Sequence, residues 1–118
     1  MKVTHVWLYT KNADRSISFY EKVLGLQVVS RFPHGALLQG GGILLGIHSE
    51  EGDRRSSPGS MLVVFQTDNI AKSFQDLKAK GVNFLTDHIV SEDFGDVADF
   101  RDLDGYLLEI WQPPRRSR

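Results

Sequence analysis

The chain repeats itself, and the repeat limits the folds open to it more than any other feature. Placing His5 over Leu62 aligns four pairs of identical residues at the start of each copy: Val6 with Val63, Thr10 with Thr67, Asn12 with Asn69, and Ser16 with Ser73. Near the end of each copy, residues 42–48 lie over residues 105–111. We interpret this as two copies of one supersecondary unit, each too small to cover its own sheet.

Each copy begins with strand-like alternation and continues with helical spacing. Asn12 and Asn69 stand where a helix N-cap is expected, with Asp68 as a second candidate, and Gly25 and Gly81 are expected to end the helices. The apolar side chains at helical spacing are Ile17, Tyr20, Val23 and Leu24 in the first copy and Ile70, Phe74 and Leu77 in the second.

Three further strands are predicted after each helix. They cover about 26–31, 36–39 and 43–48 in the first copy, and 82–85, 96–100 and 106–111 in the second. We therefore predict an α+β fold of two tandem βαβββ modules. The whole chain, 1–118, is read as one domain: module 1 (1–48), a connecting loop (49–60), module 2 (61–112) and a flexible C-terminal tail (113–118).

Composition excludes several classes of function. The chain of 118 residues has a net charge of -1 and no cysteine, which argues against a nucleic-acid or anionic-membrane surface and excludes thiolate chemistry. No apolar run approaches the ~20 residues of a membrane span. The N-terminal residues lack the apolar stretch of a signal peptide, so a cytoplasmic protein is expected.

The residues that could bind a ligand or take part in catalysis lie on one face of the predicted sheets. Strand alternation places on it the side chains of His5, Trp7, Tyr9, His48, Glu109 and Trp111, together with Gly46. We predict that this face lines a pocket for a small organic compound, with Trp7, Tyr9, Leu62, Val64 and Trp111 as the pocket residues. The alternative is that these aromatic side chains form a dimer interface or fill the cavity. A homodimer is predicted because the patch would be costly to expose.

Three segments resemble the vicinal oxygen chelate superfamily, which includes glyoxalase I, bleomycin-resistance proteins, fosfomycin-resistance enzymes and extradiol dioxygenases. Residues 5–12 and 16–26 are similar to the opening module of that family, and residues 102–110 are similar to its closing turn and strand. The family commonly has proline where this chain has Leu103. The resemblance implies βαβββ modules that form curved mixed sheets around a cavity, and it leaves the reaction open.

The resemblance also implies a position for a metal. Metal-using members take ligands from the first and last strand of each module, and the matching positions here are, in chain order, His5, Gly46, Leu62 and Glu109. Glyoxalase I typically has His, Glu, His and Glu there, so this chain keeps one histidine and one glutamate. His48, two residues beyond Gly46, is a candidate third ligand. A bound ion would be zinc, nickel, iron or manganese.

Two functions are therefore carried forward. The first is a divalent-metal-dependent lyase, isomerase or dioxygenase that acts through oxygen chelation, with Glu109 as the catalytic residue that moves a proton. The second is a metal-free small-molecule binding protein of the bleomycin-resistance type. The other two histidines, His34 and His88, are expected on the surface.

Overall fold

The computed structural model describes residues 1–50, 60–103 and 105–115. The chain divides into two compact units. The N-terminal unit comprises Thr4–Leu62, and the C-terminal unit comprises Val63–Arg118 with Met1–Val3. In the described part of the chain, no helix is long and apolar enough to cross a membrane.

The N-terminal unit is a four-stranded mixed sheet with one short helix. Its elements in chain order are β1 (Lys2–Thr10), α1 (Ala13–Ser18), a π-helical turn (Phe19–Val23), β2 (Val28–Phe32), β3 (Gly35–Gln39) and β4 (Leu44–Ser49). The strand order is β2-β3-β4-β1. β1 runs parallel to β4, whereas β3 is antiparallel to both β2 and β4.

The C-terminal unit repeats this plan. Its elements are β5 (Met61–Gln66), α2 (Ile70–Ala79), β6 (Val90–Glu92), β7 (Gly95–Arg101) and β8 (Leu107–Gln112). The strand order is β5-β8-β7-β6, with β5 parallel to β8 and the other pairs antiparallel. The α+β fold of two βαβββ modules is confirmed.

The two helices begin in the same way, and the repeat extends to individual hydrogen bonds. The Asn12 side chain accepts from the Arg15 amide at 3.0 Å, and the Asn69 side chain accepts from the Lys72 amide at 3.1 Å. The predicted N-caps are confirmed, with Asn69 and not Asp68 capping α2. Next to each cap a threonine and a serine hydroxyl are bonded, Thr10 with Ser16 and Thr67 with Ser73.

Each sheet buries one face against its helix. The N-terminal core contains Ile17, Ala36, Leu38 and Ile47. The C-terminal core contains Ile70, Phe74, Ala98, Phe100 and Ile110. Since side chains alternate along a strand, residues between these core positions project to the opposite face of each sheet.

Three local expectations need correction. The helix of the first copy gives way to the π-helical turn, which leaves Val23 and Leu24 68% and 55% exposed instead of inward. Residues 82–85 do not form a strand: Phe84 makes one isolated bridge to Phe100 and packs with Val82 on the C-terminal core. The first strand after α2, the second of module 2, is instead β6, and its three residues are too few to show strand alternation.

Other expectations lie partly outside the described residues. The connecting loop predicted at 49–60 begins inside β4, because Ser49 is the last residue of that strand, and residues 51–59 are not described. The turn at 102–105 lacks a description of Asp104, but the Asp102 carboxylate accepts from the Tyr106 amide at 2.9 Å. Residues 116–118 of the predicted tail are likewise outside the described residues.

Candidate functional site

The cross-strand register decides which predicted site residues are neighbours. In the N-terminal unit Trp7 lies opposite Gly46, and Tyr9 lies opposite His48. Residues paired across neighbouring strands project to the same face. His5, Trp7, Tyr9 and His48 therefore share the face of this sheet that points away from its core.

Six rings gather on this face. We call them the ring cluster: His5, Trp7, Tyr9, Phe32, His34 and His48. His48 lies at its centre, with ring centroids 5.8 Å from Tyr9 and 6.0 Å from Trp7. Phe32 and His34 each lie 6.0 Å from the same imidazole. Tyr9 is buried, whereas Trp7, Phe32 and His48 keep part of their surface exposed.

Two members of the ring cluster were not among the predicted site residues. Phe32 ends β2 and enters the cluster because Gly35, opposite both Phe32 and His48, has no side chain to separate them. His34 is exposed in the turn between β2 and β3, as expected, but its ring stacks on His48 at an interplanar angle of 27°. Neither contact has a signal in the sequence, because both depend on how β2 and β3 pair with β4.

Position 46 requires glycine because the Trp7 indole lies close to its backbone. A Cβ atom built on Gly46 would lie 2.2 Å from Cε3 of Trp7 and 2.5 Å from Cδ2. Such distances do not occur between non-bonded carbon atoms, so the indole occupies the space that a side chain at position 46 would need. The position that the resemblance assigns to a metal ligand is therefore taken by Trp7.

His5 lies beside Trp7, with the two rings stacked at 6.4 Å between centroids and an interplanar angle of 1°. Its Nδ1 atom is 2.8 Å from the Thr4 hydroxyl. Burial lowers the pKa of His5 below its usual 6.5 because the charged imidazolium loses hydration. At neutral pH His5 is consequently an uncharged ring.

The C-terminal unit places a carboxylate at the equivalent position. Glu109 is 4% exposed and lies between Val64 on β5 and Asp99 on β7. Trp111 follows on the same face, and its indole N–H donates to the Phe94 carbonyl oxygen at 2.8 Å. Val64 and Leu62 are buried apolar residues, at 3% and 1% exposure.

These residues do not provide the ligand set of a metal-using member. Of the four matching positions, Leu62 has a side chain without a donor atom and Gly46 has none. No group of three His, Asp or Glu side chains that could hold an ion occurs among the residues that the structure describes. A divalent ion needs more protein ligands than His5 and Glu109 to be held firmly, so the donor set does not fit a resident metal.

The comparisons with known proteins agree with the fold. Residues 2–110 match the model of the Glyoxalase/Bleomycin resistance protein/Dioxygenase superfamily, and the chain belongs to that superfamily. Comparison with curated proteins gave no match.

Solved structures with the same fold come from several bacteria. A chain described as an NAD-dependent benzaldehyde dehydrogenase from Legionella pneumophila superposes with a TM-score of 0.80 at 24% identity, covering 93% of this chain and 98% of that chain. Methylmalonyl-CoA epimerase from Mycobacterium tuberculosis superposes with a TM-score of 0.76 at 18% identity, covering 96% and 88%. A Streptomyces coelicolor methylmalonyl-CoA epimerase variant, in complex with 2-nitronate-propionyl-CoA, gives 0.73 at 19%, covering 98% and 99%. At these identities the likeness establishes the fold alone.

Proposed function

We propose that this protein binds a small planar organic compound against the ring cluster of its N-terminal unit, without a resident metal. The observation that supports this most directly is the packing of four rings around His48 within 6.0 Å, on the sheet face opposite the core. Aromatic side chains with part of their surface exposed offer stacking and edge contacts to a flat ligand. A few polar atoms among them fix its orientation.

The alternative of a metal-dependent lyase, isomerase or dioxygenase finds less support in the residues. It needs at least three protein ligands, and Gly46 cannot gain a side chain while Trp7 lies over it. His48 is displaced from His5 along the paired strands, because His48 lies opposite Tyr9 whereas His5 lies opposite Leu44. In the preferred proposal Glu109 is a buried wall residue of its own unit and moves no proton.

Ligand binding is tested by nuclear magnetic resonance on isotope-labelled protein titrated with 4-ethylphenol as the probe. We expect the Trp7 indole N–H and the β4 amides to shift, while amides along α1 stay in place. Trp7→Leu should weaken binding, whereas Tyr106→Leu, which removes an aromatic ring that is 68% exposed outside any strand, should not. Shifts spread evenly over the protein, or equal losses in both variants, would overturn the proposal.

The absence of a resident metal is tested separately, by measuring the metal content of the purified protein. Protein purified without chelator should contain no stoichiometric divalent metal, and probe binding should be unchanged after treatment with chelator. Stoichiometric zinc, nickel, iron or manganese that is lost in His5→Leu would replace this proposal with the metal-dependent enzyme.

We further propose a cytoplasmic homodimer. The support is the partly exposed apolar surface of the N-terminal unit, which a two-fold interface beside the ligand site would remove from water. Light scattering at micromolar concentration should give twice the mass of one chain. A monomer would count against the assembly and would leave the ligand proposal to its own test.

A further inference from the structure

The hydrogen bonding of His48 defines what kind of group its ring can meet. Nδ1 of His48 lies 2.5 Å from the carbonyl oxygen of Ser49. A carbonyl oxygen only accepts hydrogen bonds, so Nδ1 carries the proton and the neutral ring keeps its lone pair on Nε2. In the described part of the chain, no residue donates to Nε2 of His48.

Among the described strand residues of the N-terminal unit, none on the face of this acceptor carries a formal charge that would favour an anion. The strand residues of the N-terminal unit that share its face have no Asp, Glu, Lys or Arg among them: His5, Trp7, Tyr9, Ser30, Phe32, Gly35, Leu37, Gln39, Leu44, Gly46 and His48. Burial keeps the pKa of His5 low, so that ring adds no positive charge at neutral pH. An anionic ligand would lose hydration there without gaining a paired cation.

The charged residues just beyond the strand ends do not change this. Lys11 follows β1 and is exposed, whereas Glu50 follows β4 and is half-buried. Among the described residues at this end of the face, the formal charges of Lys11 and Glu50 sum to zero, and they add no net attraction for a carboxylate ligand.

Resting on the proposed function, we infer that the ring cluster selects planar aromatic compounds that donate a hydrogen bond, such as phenols, over aromatic carboxylates and over ethers of the same shape. The donor meets Nε2 of His48, and the ring lies against the half-exposed aromatic side chains of Trp7 and Phe32. The ligand class follows from the acceptor at Nε2 of His48, beside aromatic side chains and on a face whose described strand residues carry no formal charge.

Three matched probes test this selection: 4-ethylphenol, which donates; 4-ethylanisole, in which a methyl group replaces the donated proton; and 4-ethylbenzoate, an anion. We expect 4-ethylphenol to bind about fivefold tighter than either of the others, the scale of one neutral hydrogen bond. In His48→Phe the ring remains and the acceptor is lost, so 4-ethylphenol should fall to the affinity of 4-ethylanisole. His88→Phe, at an exposed histidine that hydrogen-bonds Asp87, should change none of the three.

The outcomes distinguish a wrong ligand class from a failure of ligand binding by the ring cluster. If all three probes bind equally well, or 4-ethylbenzoate binds best, the ligand class is wrong while binding by the ring cluster stands. If none binds, the proposed function fails and the inference fails with it. A second measurement needs no variant: nitrogen-15 shifts of the His48 ring should show the proton on Nδ1 at neutral pH. A proton on Nε2 would overturn the inference directly.

Discussion

In the N-terminal unit Trp7 stands opposite Gly46, and in the C-terminal unit Val64 stands opposite Glu109. The repeat aligns these pairs, and both lie between a first strand and a last strand that run parallel. One pair combines the largest side chain with none, and the other combines a small aliphatic side chain with a carboxylate. The comparison teaches that one backbone plan accepts different partners at this point, provided that the two side chains together fit the space.

The largest expected effect tests whether the two cores are equivalent. Ile47 and Ile110 align in the repeat and are 1% and 0% exposed. Ile47→Ala and Ile110→Ala should each lower the free energy of unfolding by about 2–5 kcal/mol, because each leaves a cavity in a packed core. Urea denaturation measures both. A loss below about 1 kcal/mol in one variant alone would break the equivalence of the two units.

The next largest effect tests the contrast between the Trp7–Gly46 pair and the Val64–Glu109 pair. Gly46→Ala should cost about 1–3 kcal/mol of unfolding free energy, because its Cβ would overlap the Trp7 indole. The same change in a Trp7→Val background should cost less, since valine is the residue that the C-terminal unit uses there. A double-mutant cycle should give a coupling of roughly 0.5–3 kcal/mol. Additive losses would mean that the indole does not set the requirement for glycine.

A smaller effect should be shared by both units. Asn12→Ala and Asn69→Ala each remove a side-chain acceptor from a helix N-terminus, and each should cost about 1 kcal/mol in thermal or urea unfolding. Asn→Asp at either position keeps the acceptor and serves as the matched control. A cost at Asn69 with none at Asn12 would show that the six-residue α1 depends on packing and not on its cap.

The smallest effect distinguishes the units by pH. Burial lowers the pKa of folded His5 below 6.5, so above that pH the ring is neutral in both the folded and the unfolded chain. As the pH falls below 6.5, the unfolded chain takes up the proton first, and stability decreases until the folded-state pKa is passed. The expected loss is less than about 1 kcal/mol, since the ring is only half-buried.

The control for this pH effect is His5→Leu, which gives the N-terminal unit the residue that the repeat places at position 62. Urea unfolding at neutral and mildly acidic pH should show a shallower decline for this variant than for the parent. An identical decline in both proteins would assign the acid sensitivity to another group.

Much of the local structure could be predicted because its causes lie close together in the sequence. An asparagine bonds an amide three residues later, and both helices begin where Asn12 and Asn69 predict. Gly25 and Gly81 end their helical segments with φ of +74° and +95°, a region that favours glycine. The short β6 and the isolated bridge at Phe84 were not predicted, because both are defined by pairing with β7 and not by a local pattern in the sequence.

The sequence by itself determined the two-module plan, the strand faces and the helix caps, because periodicity and hydrogen bonds between near neighbours are encoded locally. Only the tertiary structure decided what those faces contain. Trp7 covers Gly46 because β1 and β4 pair in one register, and Phe32 and His34 reach His48 because β2 and β3 complete the sheet beside it. A shift of one residue in any of these pairings would turn the side chains to the other face, so the site depends on contacts between residues far apart in the chain.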